Sequence, residues 1–208
     1  MTNTINLRLI DQSNDVNNTQ VLIFQRNVTT SFDELAVAWR VIQNLGRGSN
    51  HPFTYSNELK VSASDNWGNN TPEFNAAPGQ LWQMVRDSSG NELRLASEPG
   101  TNPEEVQMRN DLTQGAITAN VLRDGLVIAM KTSVSPGEKA AFKFKPTIYI
   151  GVASQVQEGQ VLDSAIVSTI NTEISLLGIK SADIVMTGGG PGTSAEPFCF
   201  TLQNVQRA

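Results

Sequence analysis

The sequence predicts an all-β chain, an antiparallel β-sandwich of jelly-roll-like or Greek-key type with at most one or two short helices. Three observations carry that prediction. Most apolar segments place their apolar residues at every second position, the period that lays one face of a strand on a core. Gly, Pro, Asn and Asp cluster between those segments, where turns need them. No regular alternation of strand pattern with helix pattern runs through the chain, so a parallel α/β sheet is not expected.

The elements follow in order. Ile5, Leu7 and Leu9 alternate with Asn6 and Arg8 in a first strand, and a short apolar strand, Val21 to Phe24, follows the polar loop 11–20. The next stretch carries two signals. Ser31 and Glu34 have capping-box spacing, and Phe32, Leu35, Trp39 and Ile42 fall at helical spacing, yet Leu35, Val37, Trp39 and Val41 alternate. Its β-branched content favours a strand from about Ala36 to Asn44, with a single helical turn before it as the accompanying option. Extended segments restart at His51–Tyr55 and at Leu59, Val61 and Ala63. A polar loop surrounds Trp67, and Leu81–Val85 with Glu92–Leu95 flank a hairpin turn containing Gly90.

The stretch from Glu104 to Ser154 is the most regular. Asp124-Gly125 suits a two-residue type I′ turn, because both central residues of that turn need positive φ. Such a turn pairs Arg123 with Leu126, Val121 with Ile128 and Ala119 with Met130. After the Ser135-Pro136-Gly137 turn, Ala140, Phe142 and Phe144 face away from Lys143 and Lys145, and beyond Pro146 Ile148 and Ile150 face away from Tyr149. The expected inward set is Val106, Met108, Ile117, Val121, Ile128, Phe142, Phe144 and Ile148. From Ile166 to Leu176 the alternation again reads as strand, although Ile166, Ile170, Ile174 and Leu177 also fit helix turns. Phe198, Phe200 and Leu202 mark a last strand, and a strand of the final segment is expected to close the sandwich by pairing back near the first.

The 208 residues suit one domain, 1–208, with Glu98–Glu105 (two prolines and a glycine) as the candidate break within it. The net charge of −5 and the absence of a Lys/Arg block exclude a nucleic-acid partner of the usual basic kind. A single cysteine excludes an intrachain disulfide. No secretory leader or apolar run of membrane-spanning length is visible, which makes a cytoplasmic, soluble chain the default expectation.

The inventory for chemistry is thin. His51 is the sole histidine, has no nucleophile motif beside it, and cannot build a multi-histidine metal site alone. Cys199, between two phenylalanines, lacks a neighbouring base or cation in sequence. The Thr187–Ser194 loop is glycine-rich but lacks the lysine and following helix of a phosphate loop. Asp11, Ser13, Asp15 and Asn17 have calcium-loop spacing, but Val16 and Leu22 stand where glycine and glutamate belong, so Asx turns are the expected reading. No catalytic residue, metal or cofactor is therefore predicted, and an enzyme is the weakest of three function classes. Asp65, Asn66, Trp67, Asn69 and Asn70 form the candidate ligand site: an aromatic beside amides and a carboxylate suits a glycan or a lipid headgroup. Low charge and many strands favour a non-enzymatic, structural protein that self-assembles into homo-oligomers or filaments through strand edges and its chain ends. A lectin-like or toxin-like module using the Trp67 loop is the alternative.

Overall fold

Asp124 (φ 51°) and Gly125 (φ 77°) form the two-residue turn that their sequence demands, with Arg123 paired to Leu126. The computed structural model describes residues 4–29, 35–170 and 172–208. The chain begins with β1 (Thr4–Asp11), β2 (Gln20–Phe24), β3 (Leu35–Ala36), β4 (Arg40–Ile42), β5 (Asn50–Ser56) and β6 (Leu59–Asp65). It continues with β7 (Phe74–Ala76), β8 (Leu81–Arg86), β9 (Asn91–Leu95), β10 (Val106–Asn110), β11 (Ile117–Arg123) and β12 (Leu126–Val134). Last come β13 (Lys139–Phe142), β14 (Thr147–Ala153), the helix α1 (Ser164–Thr169), β15 (Thr172–Ser175), β16 (Ile179–Gly189) and β17 (Glu196–Arg207). The fold is all-β, with four sheets and one short α-helix among the described residues. Most strand pairs are antiparallel; β1–β16 and β8–β10 are parallel.

The strands divide between two units. The first comprises Met1–Gln25, Val37–Asn57 and Pro146–Ala208. Its sheets have the orders β17-β16-β1-β5 and β15-β14-β2-β4. The parallel pairing of β1 with β16, Leu9 opposite Ile184, is the expected closure of the last segment onto the first. Buried Trp39, just before β4, meets Phe53 and Tyr55 of β5 edge-on with ring centroids 6.2 and 5.9 Å apart, which locks the two sheets together. A conjugate contact comes from Gly151 of β14, whose missing side chain leaves room for Ile170.

The second unit comprises Arg26–Ala36 and Glu58–Lys145. Its sheets have the orders β13-β10-β8-β9 and β3-β12-β11-β6-β7. Phe74 of β7 stacks on Trp82 of β8 at 5.3 Å, joining one sheet to the other. Val61, Ala63, Ile117, Ala119, Val121, Met108 and Phe142 are buried at the strand period of two.

Several sequence expectations change. The 98–105 segment lies inside the second unit: Gly100 N donates to Gly79 O (2.8 Å), and Gly79 N donates to Glu105 O (2.8 Å). The regular stretch 104–154 is instead divided at Lys145/Pro146. Within the Asp124-Gly125 hairpin the register shifts by one after Leu122–Val127, so Val121 faces Ala129 and Ala119 faces Lys131, not Ile128 and Met130. The cause is burial of two neighbours, Ile128 and Ala129, which plain alternation cannot achieve and a bulge can. No continuous strand runs from Ala36 to Asn44. β3 joins β12 in the second unit, Val37 makes a single bridge to Val161 in the first, and β4 pairs with β2. The helical turn expected around Ser31–Glu34 lies outside the described residues. The alternating run from Ile166 is split: Asp163 caps α1 by accepting from Ile166 N (2.7 Å), and strand resumes only at Thr172. Phe144 is half-buried, whereas the other seven residues of the expected inward set are buried.

The β16–β17 hairpin depends on glycine at its tip. Gly188 has φ +91°, and a Cβ there would collide with the Pro197 carbonyl. Gly188→Ala is expected to cost about 2 kcal/mol or more and lower the melting temperature by about 5 °C. Gly192→Ala, also at positive φ but facing open space, is expected to cost about 1 kcal/mol or less. Thermal unfolding by circular dichroism checks both, and equal losses at the two positions would refute the collision.

Candidate functional site

The β6 strand ends at Asp65, whose side chain is 8% exposed and organises the turn that follows. Its Oδ1 accepts from Trp67 N (2.9 Å) and Asn69 N (3.0 Å). Its Oδ2 accepts from Asn69 Nδ2 (3.0 Å) and Asn91 Nδ2 (3.1 Å). The Asn69 amide foremost, then the two backbone N–H groups and Asn91, hold the carboxyl below the ordinary value of 3.8 against its partial desolvation. The main chain closes the same turn, with Asp65 N donating to Asn69 O and Gly68 N to Asp65 O. Thr71 N donates to Ala63 O, and Thr71 Oγ1 accepts from Ala63 N, which ties the far side of the loop to β6.

On this fixed turn Trp67 is 81% exposed, the largest exposure of any big apolar side chain among the described residues. The ring borders a cleft of about 470 Å³ lined by Asn66, Trp67, Arg86, Asn91 and the segment Leu112–Gly115. Two hairpin positions furnish one wall, because Arg86 and Asn91 stand opposite each other where β8 turns into β9. The other wall is set by Asn110, which is fully buried. Its Nδ2 donates to Gly115 O (2.9 Å) and Val134 O (2.8 Å), and its Oδ1 accepts from Leu112 N (3.1 Å). Gly115, at φ +89°, approaches the Asn66 side chain so closely that a Cβ would lie 3.4 Å from Asn66 Oδ1. Asn91 Oδ1 is buried without a hydrogen-bond partner, an acceptor that a hydroxyl donor would satisfy.

Of the five residues the sequence singles out, Asn66 and Trp67 line the cleft. Asp65 and Asn69 lie behind it as the scaffold of the turn, and Asn70 donates to Gly68 O at the exposed tip. Arg86, Asn91, Leu112, Thr113, Gln114 and Gly115 were not anticipated. Only the Arg86–Asn91 hairpin carried a local signal, the Asp-Ser-Ser-Gly-Asn turn; the 112–115 segment reaches the site through the pairing of β6 with β11.

The other stretches that the sequence singles out lie elsewhere on the chain. Asp11 Oδ1 accepts from Ser13 N, Ser13 Oγ from Asp15 N, and Asp15 Oδ1 and Oδ2 from Asn17 N and Thr19 N. That relay of Asx and Ser turns accounts for the calcium-like spacing. His51 is exposed on β5 opposite Leu9, Cys199 is exposed on β17, and the 187–194 loop joins β16 to β17. Among the described residues no group of three or more His, Cys, Asp and Glu side chains is placed to hold a metal ion. No helix among them is long and apolar enough to cross a membrane.

Removing the Asp65 carboxylate should free the turn. Asp65→Ala is expected to speed amide hydrogen exchange at Trp67 and Asn69 by about tenfold or more. Because the folded carboxyl titrates below 3.8, its contribution is present in full above that pH and is lost as pH falls through the lower folded value. Exchange at the two amides should therefore be protected at pH 5 and lose protection below about pH 3.8 in the wild type, with no such dependence in Asp65→Ala. Unchanged exchange in the variant would refute the role.

Comparison with known proteins gives no match to any family model, curated protein or solved structure.

Proposed function

We propose that the chain is a non-enzymatic saccharide-binding domain whose contact surface is the Trp67 turn and the cleft beside it. The observation that carries this reading is the exposure of Trp67 on a turn that Asp65 holds with three hydrogen bonds, a fourth tying the same carboxylate to Asn91. An indole normally gains about 1.5–3 kcal/mol or more by burial, so a ring held out by a rigid turn is presented to something. Its surroundings favour sugar over lipid. Asn66, Thr113 and Gln114 line the cleft with exposed amides and a hydroxyl that match ring hydroxyls, whereas an apolar patch for bilayer insertion is lacking around the ring among the described residues. The cleft is of the size that small-ligand sites occupy. Its one charged lining residue is Arg86, an unsuitable proton acceptor, which supports binding over catalysis.

Wild-type protein is expected to bind on a glycan array, and Trp67→Ala to weaken that binding by at least tenfold, about 1.4 kcal/mol. The melting temperature should stay within about 2 °C, since an exposed ring supports little of the fold. Saccharide binding unaltered in the variant, or liposome binding with no saccharide binding, would sink the proposal.

Self-assembly is the second reading, supported by β17: it has 12 residues, is the longest strand, and forms an outer edge of its sheet. Features of the edges weigh on the other side. Register shifts and the positive φ of Asn204 (49°) distort β17, and β5 at the opposite edge carries Pro52, which has no N–H to offer a further strand. The edge strands β3, β4 and β7 have two or three residues each. If β17 nevertheless mediates assembly, light scattering after size exclusion should show an oligomer that Val205→Lys dissociates. A strict monomer at high concentration would end this reading.

A further inference from the structure

Arg86 differs from the other arginines near it. Arg94 pairs with Glu92, and Arg109 makes a fork to Asp111 (2.6 Å) with a second contact to Glu98 (2.9 Å). Arg86 is exposed at the end of β8, and its guanidinium has no ion-pair or hydrogen-bond partner among the described residues. The adjacent Asp87 and the Asp65 behind the cleft each accept hydrogen bonds from groups of their own. Asp87 Oδ1 accepts from Ser89 N, Ser89 Oγ and Gly90 N, while both oxygens of Asp65 are taken by the Trp67 turn and Asn91. An unpaired guanidinium thus shares one cleft with an exposed indole, and the cleft's other lining side chains are neutral.

Resting on the saccharide reading above, we propose that the ligand is an anionic saccharide: a sugar ring stacks on Trp67 while its carboxylate or sulfate receives the Arg86 fork. Guanidinium is suited to this task because its planar donors engage two oxygens of one anion together. The local charge is needed for such a ligand, since the chain as a whole carries −5 and does not attract anions from a distance. Asn66, Gln114 and Thr113 remain for the ring hydroxyls.

The test is titration calorimetry with three probes, digalacturonic acid, its uncharged galactose disaccharide counterpart and a sulfated galactose disaccharide, on wild type, Arg86→Gln, Arg86→Lys and Trp67→Ala. Wild type is expected to bind at least one of the anionic probes about tenfold or more tighter than the neutral one, and which anion gains identifies the group. In Arg86→Gln that ratio should fall to about one, and in Arg86→Lys it should be partly retained. The preference should shrink as salt is raised from 50 to 500 mM. Equal binding of neutral and anionic probes, or a preference that survives in Arg86→Gln, overturns the role of Arg86 and leaves the saccharide reading standing. No binding of any probe by wild type, joined to an empty glycan array, overturns both.

Discussion

The constraint that orders this molecule is the need of every buried backbone amide and carbonyl for a partner where the strands stop. Ladders satisfy the strands; short polar side chains satisfy the connections. Asn27 is a plain example. Its Nδ2 donates to Ala141 O and its Oδ1 accepts from Lys143 N, so one side chain continues the β13 ladder where no strand is available. Gln107, almost fully buried, does the same for the 98–105 segment by accepting from Thr101 N and donating to Glu105 Oε2. Asp65 and Asn110 apply this device to the two walls of the cleft. The high Asn, Gln, Asp and Thr content is thus spent in large part on structure.

That distribution changes what a polar loop means here. Asp65 and Asn69 have the chemistry of ligand groups, yet their hydrogen-bonding capacity is turned inward, and it is the residues with capacity left over that face the cleft. Asn66, Arg86, Thr113 and Gln114 stand on three separate parts of the chain, where the buried Asp65 accepts from Asn69 and Asn91 and the buried Asn110 accepts from Leu112 N. Binding to such a surface loses little conformational entropy, because the turn is already formed before a ligand arrives. In the saccharide reading proposed above, Trp67 supplies the apolar face and the amides supply direction.

How much was legible follows from where each feature's cause lies. The strands β1, β6 and β14 were readable because alternation is local, and the 124–125 turn because Asp-Gly has few other conformational uses. The bulge at Ile128 was hidden, since it is decided by simultaneous burial of two neighbours against different elements. α1 was hidden because Ile166 and Ile170 satisfy both a period of two and a spacing of four; the Asp163 cap decided between them. Glu98–Glu105 looks like a linker by composition, but a buried glutamine packs it into its unit, while the true division at Lys145/Pro146 lies between two good strands. The Trp67 turn was visible as a cluster of residue types. Its cleft was not, because its walls are separated by about 20 to 50 positions in the chain and meet only through sheet register.

The parallel pairing of β1 with β16 also sets a timetable. Arg8 and its partner Asp183 are 175 residues apart, so the β16 side of β1 pairs late, whereas its other side has β5 to pair with early in the chain. The second unit draws almost entirely on the continuous stretch Glu58–Lys145 and has all its strands before β14 is made. Synthesis therefore favours an order in which β1 meets β5 first and its other edge stays open until β16 is made, after the strands of the second unit. Thr4, Asn6 and Arg8, exposed on the same strand, keep the face opposite Ile5, Leu7 and Leu9 polar throughout that interval.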